Sequence, residues 1–217
     1  IIVMLTFVIP KFEELLKGSG QELPLPTQIV INASHFLQHY FLFIIAGLIA
    51  ATVLSVKYIR TKEGKRVFDY YSLKMPLFGG ILLKVGVARF ARTMQTLLSS
   101  GINLLDAIDI CKDAIGNGVL EENLVRMRTE VERGKTLSAI LASMPIFPSM
   151  LSQMVTVGES TGNLDKMLER VADFYEDEVQ NLVSGLTKLI EPLVLVFLGG
   201  TVGGLMIAMY LPIFKMA

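Results

Sequence analysis

The sequence has a single cysteine in 217 residues, so it cannot close an internal disulfide. Its only two histidines, His35 and His39, have neither a cysteine nor a carboxylate beside them to complete a metal site. Charge is also scarce: 18% of the residues are charged, against about 25% in an ordinary soluble domain. The 20 Lys and Arg balance the 20 Asp and Glu, which excludes a chain built to grip nucleic acid, whose footprint is strongly basic. No G-x-x-x-x-G-K-[ST] phosphate loop occurs, so nothing here hydrolyses ATP. What the chain has in abundance is apolar surface: 52% hydrophobic residues and a mean hydropathy of +0.55. Disorder is excluded by the same figures, since a disordered chain needs low hydrophobicity and high charge. The class that remains is a membrane protein with a modest soluble part.

Leu23 to Val56 contains no Asp, Glu, Lys or Arg, and its most apolar part is Phe36 to Val56. About 20 apolar residues at 1.5 Å rise cross a hydrocarbon core of about 30 Å, so this segment can span. A second charge-free run goes from Pro192 to Phe214. The first nine residues, IIVMLTFVI, are as apolar but too short to cross, and they lack the basic start and small-residue cleavage site of a signal peptide. They are expected to be the tail of a spanning helix whose beginning is absent.

Lys57, Arg60, Lys62, Lys65, Arg66 and Lys74 follow the first full span, with only Glu63 and Asp69 against them. Basic residues beside a span mark its cytoplasmic side. The reading is therefore a truncated span at 1–9, a periplasmic loop at 10–35, a transmembrane helix at 36–56 and a cytoplasmic bundle at 57–188. A second transmembrane helix at 189–211 and a periplasmic tail at 212–217 complete it. Within the bundle, residues 57–92 hold nine Lys/Arg and two Asp/Glu, whereas 93–188 hold eight and fourteen. The basic end adjoins the membrane, where anionic lipid attracts it.

Apolar residues in 57–188 recur at helical spacing with little strict alternation. Val87, Phe90, Met94 and Leu97 form a stripe ended by Gly101. Leu104, Ile108, Cys111 and Ile115 form the next, with Asn103 as its N-cap and Gly116 as its stop. Leu120, Leu124, Met127 and Val131 follow, closed by Gly134. Short helices are expected at Thr136 to Met144 and at Phe147 to Gly158. The last helix, from Leu164, should run unbroken into the second span, bent at Pro192. The fold class is all-α: a polytopic membrane protein with a cytoplasmic antiparallel helical bundle.

Gly158-Glu159-Ser160-Thr161-Gly162 matches G-x-S-x-G, which in hydrolases places Ser on a strand-to-helix elbow beside a His base. No strand precedes it here and neither histidine lies in the same segment, so it reads as a loop before a helix. Asp165 then sits at the positive end of that helix. Glu191-Pro192 falls where the second span enters the membrane, an interfacial acid or a partner contact within the bundle. Gly199, Gly200, Gly203 and Gly204 make two overlapping G-x-x-x-G patterns, the spacing that lets two helix backbones approach closely. Cys111 lies in a core stripe and reads as packed, not reactive. Finally, Ile9-Pro10-Lys11-Phe12 is echoed by Leu211-Pro212-Ile213-Phe214, with the prolines offset by 202 positions, as in an internally duplicated protein.

Several segments together carry a resemblance. They are Arg89-Phe90-Ala91-Arg92-Thr93 through Leu97-Leu98-Ser99-Ser100-Gly101, Phe147-Pro148-Ser149-Met150, Gly158-Glu159-Ser160-Thr161-Gly162-Asn163-Leu164-Asp165, Glu191-Pro192 and Tyr210-Leu211-Pro212-Ile213-Phe214. In these the chain resembles the inner-membrane platform proteins of type IV pilus machines, a family shared with type II secretion. Val171-Ala172-Asp173-Phe174-Tyr175 and the Tyr210-Leu211-Pro212 ending are more similar to the pilus branch.

The resemblance implies two homologous cytoplasmic bundles and three spans, of which this chain is the second half. It implies a scaffold without enzymatic activity, cofactor or metal, in the bacterial inner membrane. That scaffold couples cytoplasmic assembly and retraction ATPases to pilin subunits entering or leaving the fibre. Expected partners are those motors, pilins, other inner-membrane pilus components, the lipid bilayer and further copies of the chain, with no nucleic-acid contact. Gly158, Glu159, Thr161, Gly162, Leu164, Asp165, Glu191 and Pro192 are its motif positions, structural or partner-binding. The alternatives are the platform of a secretion or DNA-uptake system, or a transporter. A transporter would need several polar residues at mid-membrane, and these spans offer almost none.

Overall fold

The computed structural model describes residues 9–11, 25–59, 61–76 and 78–216. The expected span remnant at 1–9 lies outside them apart from Ile9, as do residues 12–24 of the expected loop at 10–35. Every described element is helical, and no strand occurs among the described residues. The helices are α1 (Leu25–Ile59), α2 (Lys62–Lys74), α3 (Phe78–Ser99), α4 (Leu104–Ala114), α5 (Gly118–Glu132), α6 (Leu137–Ser143), α7 (Ser149–Thr161) and α8 (Leu164–Met216). The chain divides into two compact units, Lys57–Leu186 and a second made of Ile1–Val56 with Thr187–Ala217.

The Lys57–Leu186 unit is built around one core. Val87, Phe90, Met94, Ile108, Cys111, Leu120, Leu124 and Met127, all foreseen in the apolar stripes, are buried in it together with Leu151, Val155, Leu168 and Val171. Local chemistry sets the helix limits. Asn103 accepts from Asp106 N at 3.0 Å at the start of α4, and Asn117 does the same for Val119 N and Leu120 N at the start of α5. Gly101, Gly116 and Gly134, read from the sequence as stops, all take positive φ, where a side chain is strained.

The structure departs from expectation in five places. Helix α2 was not anticipated, and α3 starts at Phe78, nine residues before its recognisable stripe. Helix α7 runs on to Thr161, so Gly158, Glu159 and Ser160 are helical and not part of a loop. Residues 25–35, expected in a loop, belong to α1, with Pro26 in the first turn, where a missing N–H costs no hydrogen bond. Similarly, α8 continues through Pro192 and on to Met216, so most of the expected tail at 212–217 is helix.

In the other unit, Ile31 of α1 and Leu205 of α8 are buried together with Ile9. Thr27 Oγ1 donates to the Ala208 carbonyl at 2.6 Å. Two helices are long and apolar enough to cross a membrane: α1 over Gln38–Ile59, and α8 within Leu164–Ala208.

Candidate functional site

The motif at 158–165 forms a helical hairpin closed on itself. Helix α7 ends at Gly162, whose φ of +69° is left-handed. From there the Asn163 N–H reaches back to the Gly158 carbonyl at 3.0 Å. That bond, spanning five residues, is the Schellman closure that satisfies a terminal carbonyl. The chain then turns directly into α8, laying Leu164 on Gly158. A Cβ on Gly158 would stand 2.8 Å from Leu164 Cα and 3.3 Å from Met167 Cβ, so only glycine permits this approach. Asp165 is in the first turn of α8, where its charge favours the helix dipole.

Glu159 leaves the hairpin and caps a different helix. Its Oε1 accepts the Leu137 N–H at 2.6 Å, and its Oε2 accepts the Ser138 N–H at 3.2 Å and the Ser138 hydroxyl. These are two of the unsatisfied donors that begin α6, which Thr136 also caps through Ala139 N at 3.4 Å. A carboxylate on the positive end of a helix, with charge-assisted bonds, is a strong tie between α6 and α7. The sequence marked Glu159 as a motif position but did not show its partners on α6. Asp69 of α2 acts in the same way on α5, accepting the Gly118 N–H at 2.7 Å, and that bond too escaped notice.

Ser160 does no such work: its hydroxyl donates to Val157 O in its own helix at 2.9 Å. Thr161 likewise bonds back to Val157 O at 2.8 Å. Neither is presented as a nucleophile. Among the described residues, no group of three or more His, Cys, Asp or Glu side chains is placed to hold a metal ion.

Helices α3 and α8 are joined by charge. Arg92 Nε and Nη2 meet the two carboxylate oxygens of Glu176 at 2.9 and 2.7 Å, and Nη2 also meets Asp173 at 2.5 Å. Lys84 pairs with Glu178 at 2.5 Å further along the same two helices. The Arg92–Glu176 pair lines a groove of about 690 Å³, together with Val85, Ala88, Arg89, Val179 and Gln180 among others. No sequence spacing signals these pairs, which join residues 81 to 94 apart.

Glu191, Pro192 and the four glycines lie inside α8, in the other unit from the hairpin. Glu191 and Pro192 are exposed, and a Cβ added at Gly199, Gly200, Gly203 or Gly204 meets nothing within 4 Å. Cys111 is buried, and burial pushes its thiol up to about 12, so it stays protonated at neutral pH. A maleimide at pH 7.5 is therefore expected to leave Cys111 unmodified in the folded protein and to label it only after denaturation. Mass spectrometry before and after denaturant checks this; rapid labelling of the folded protein would show that the core opens at α4.

Comparison with known proteins adds the last observations. Residues 90–212 match the family "Type II secretion system (T2SS), protein F". The chain is 47% identical over 216 residues to the type IV pilus assembly protein PilC of Myxococcus xanthus, covering 99% of this chain and 52% of that protein. To the PilC protein of Pseudomonas aeruginosa it is 42% identical over 216 residues, covering 99% and 58% respectively. To the type II secretion system protein F of Vibrio cholerae it is 30% identical over 214 residues, covering 98% and 53%. The chain thus spans about half the length of the curated relatives it matches.

Proposed function

Because the chain belongs to the family of type II secretion system protein F, we propose that it forms part of the inner-membrane platform of a type IV pilus machine. The observation that carries this reading is the 42–47% identity to type IV pilus assembly proteins across 99% of the chain, against 30% to the secretion protein. The platform is a scaffold, not an enzyme. Its bundle, residues 57–188, faces the cytoplasm and receives the assembly and retraction ATPases. Its membrane helices, 36–56 and 189–211, meet the pilin subunits that enter or leave the fibre.

Physical features of the two helices support membrane insertion. Leu193, Leu195, Val196 and Phe197 of α8 are between 61% and 76% exposed, and Leu42 and Phe43 of α1 are 79% and 74% exposed. Apolar surface of that extent needs lipid or another protein to cover it. Three hydroxyls there bond within their own helix: Thr52 to Leu48 O at 2.9 Å, Ser55 to Thr52 O at 3.0 Å and Thr201 to Phe197 O at 2.5 Å. Hydrocarbon demands that polar groups be satisfied internally. The open face at Gly199, Gly200, Gly203 and Gly204 suits close packing of a second membrane helix, from another copy of the chain or from a pilin.

The test is genetic. Full-length protein lacking residues 57–188 is expected to reach the membrane yet leave its host without surface pili in electron micrographs. Normal piliation with that truncated protein as the only copy would refute the role proposed for the bundle.

A further inference from the structure

Helix α2 is folded the opposite way round from a water-facing surface helix. Such a helix turns its apolar stripe inward and its polar face to solvent. In α2 the buried side chains are Asp69 and Ser72. Asp69 caps α5 at Gly118 N, and the Ser72 hydroxyl bonds to the Asp69 carbonyl at 2.9 Å. Turned outward are Val67, Phe68, Tyr70 and Tyr71, between 45% and 64% exposed, and Met75 and Phe78, just past the helix, are 55% and 56% exposed.

The charges around this face are basic. Lys57, Lys65 and Lys74 are exposed, and Arg66 is held by Glu122 of α5 at 2.9 Å. The Lys74 ammonium lies 4.2 Å from the centre of the Tyr70 ring and donates to the Tyr70 hydroxyl at 2.5 Å. Glu63, in the first turn, is the one exposed acid on the helix. Aromatic and aliphatic side chains on one side, flanked by lysines, are the composition of helices that lie in a membrane interface.

The chain also fixes where α2 can be. It starts at Lys62, directly after the Gln38–Ile59 segment that is long and apolar enough to cross a membrane. Two or three residues reach about 10 Å at most, so α2 begins close to the end of that segment. Thr61 N–H and hydroxyl both bond to the Tyr58 carbonyl, at 3.0 and 2.7 Å, and Gly64 is so close that a Cβ would stand 2.0 Å from that oxygen.

We propose that α2 lies flat in the headgroup layer of an anionic membrane, with Phe68, Tyr71 and their neighbours immersed and the lysines on anionic lipid. The inference rests on the membrane reading of α1 and α8. It makes α2 the membrane-facing side of the bundle, with Asp69 passing its position on to α5. The excess of nine Lys/Arg over two Asp/Glu in residues 57–92 has the sign that anionic lipid requires.

The test uses the full-length protein in vesicles of phosphatidylcholine and phosphatidylglycerol, with some lipid chains brominated near the headgroup. An environment-sensitive fluorescent amino acid is placed by codon suppression at Tyr71, at Val125 on α5 or at Leu195 in α8, one per sample; all three are exposed, so folding should tolerate the change. Bromolipid is expected to quench the probes at Tyr71 and Leu195 and to leave Val125 bright. Omitting phosphatidylglycerol should reduce quenching at Tyr71 without changing Leu195. Quenching at Leu195 with none at Tyr71 overturns the inference and leaves the membrane reading standing. A blue-shifted but unquenched Tyr71 probe also overturns it, because a protein then covers the face. Quenching at Tyr71 that ignores phosphatidylglycerol overturns the role given to the lysines. If Leu195 too stays bright, the membrane reading fails and the inference with it.

Discussion

Glu159→Ala is expected to destabilise the protein by about 2–3 kcal/mol, the cost of removing a charged acceptor from two helix-start N–H groups. The carboxylate meets Leu137 N at 2.6 Å and Ser138 N at 3.2 Å, and it also accepts from the Ser138 hydroxyl. Without it, those donors at the start of α6 face a part-buried site with no acceptor. Helix α6 has only seven residues, too few to stand without such ties, and its Leu137, Ile140 and Leu141 are core residues. For a bundle of this size the loss corresponds to a fall in Tm of roughly 5–10 °C. Glu159→Gln keeps one acceptor oxygen and should fall between Ala and the wild type. Ser160→Ala, next in sequence, removes a hydroxyl bonded only within its own helix and should change stability by less than about 0.5 kcal/mol. Thermal unfolding of the whole chain in detergent reads all three; equal effects at 159 and 160 would show that the cap carries nothing.

Gly158→Ala should cost about 1–3 kcal/mol, the usual penalty for forcing a methyl into a filled contact. In an exposed helix the same change would stabilise by up to about 1 kcal/mol through helix propensity. The sign reverses here because the new Cβ would stand 2.8 Å from Leu164 Cα, a backbone atom that cannot rotate aside. Gly86→Ala in α3 is the control. Its Cβ would meet Leu120 Cδ1 at 2.3 Å, the far end of a side chain that can change rotamer. It should therefore be clearly milder. Urea unfolding compares the two, and Gly158→Ala as mild as Gly86→Ala would mean that the α7–α8 hairpin adjusts freely.

How legible these features were depends on their range in sequence. The stripes of α3, α4 and α5 and their glycine stops are local patterns, repeating every three or four residues, and the core follows them. Helix α2 was hidden because its buried side is polar: a search for an inward apolar stripe passes over Asp69 and Ser72. The end of α7 was hidden for a different reason. Gly158 and Ser160 read as turn residues, and what keeps them helical is tertiary, the fit of Leu164 against Gly158 and the bond from Glu159 to α6. Glu159 lies 21 and 22 residues from the groups it caps, and Arg92 lies 81 and 84 from its partners. No periodicity connects positions so far apart. The special character of the 158–165 run was visible in its letters; its work as a hairpin and a cap required the fold.

The central claim is that the bundle of this platform engages a cytoplasmic motor, and in-cell photo-cross-linking tests it most directly. Photoreactive residues would replace Asp113, Val125 and Glu132, exposed positions on or beside α4 and α5, in the full-length protein in its own host. The account predicts that at least one position captures an ATPase of the pilus machine, identified by mass spectrometry, and that capture follows piliation. A membrane-inserted, folded protein that captures no machine component from any of the three positions would contradict motor coupling through this half.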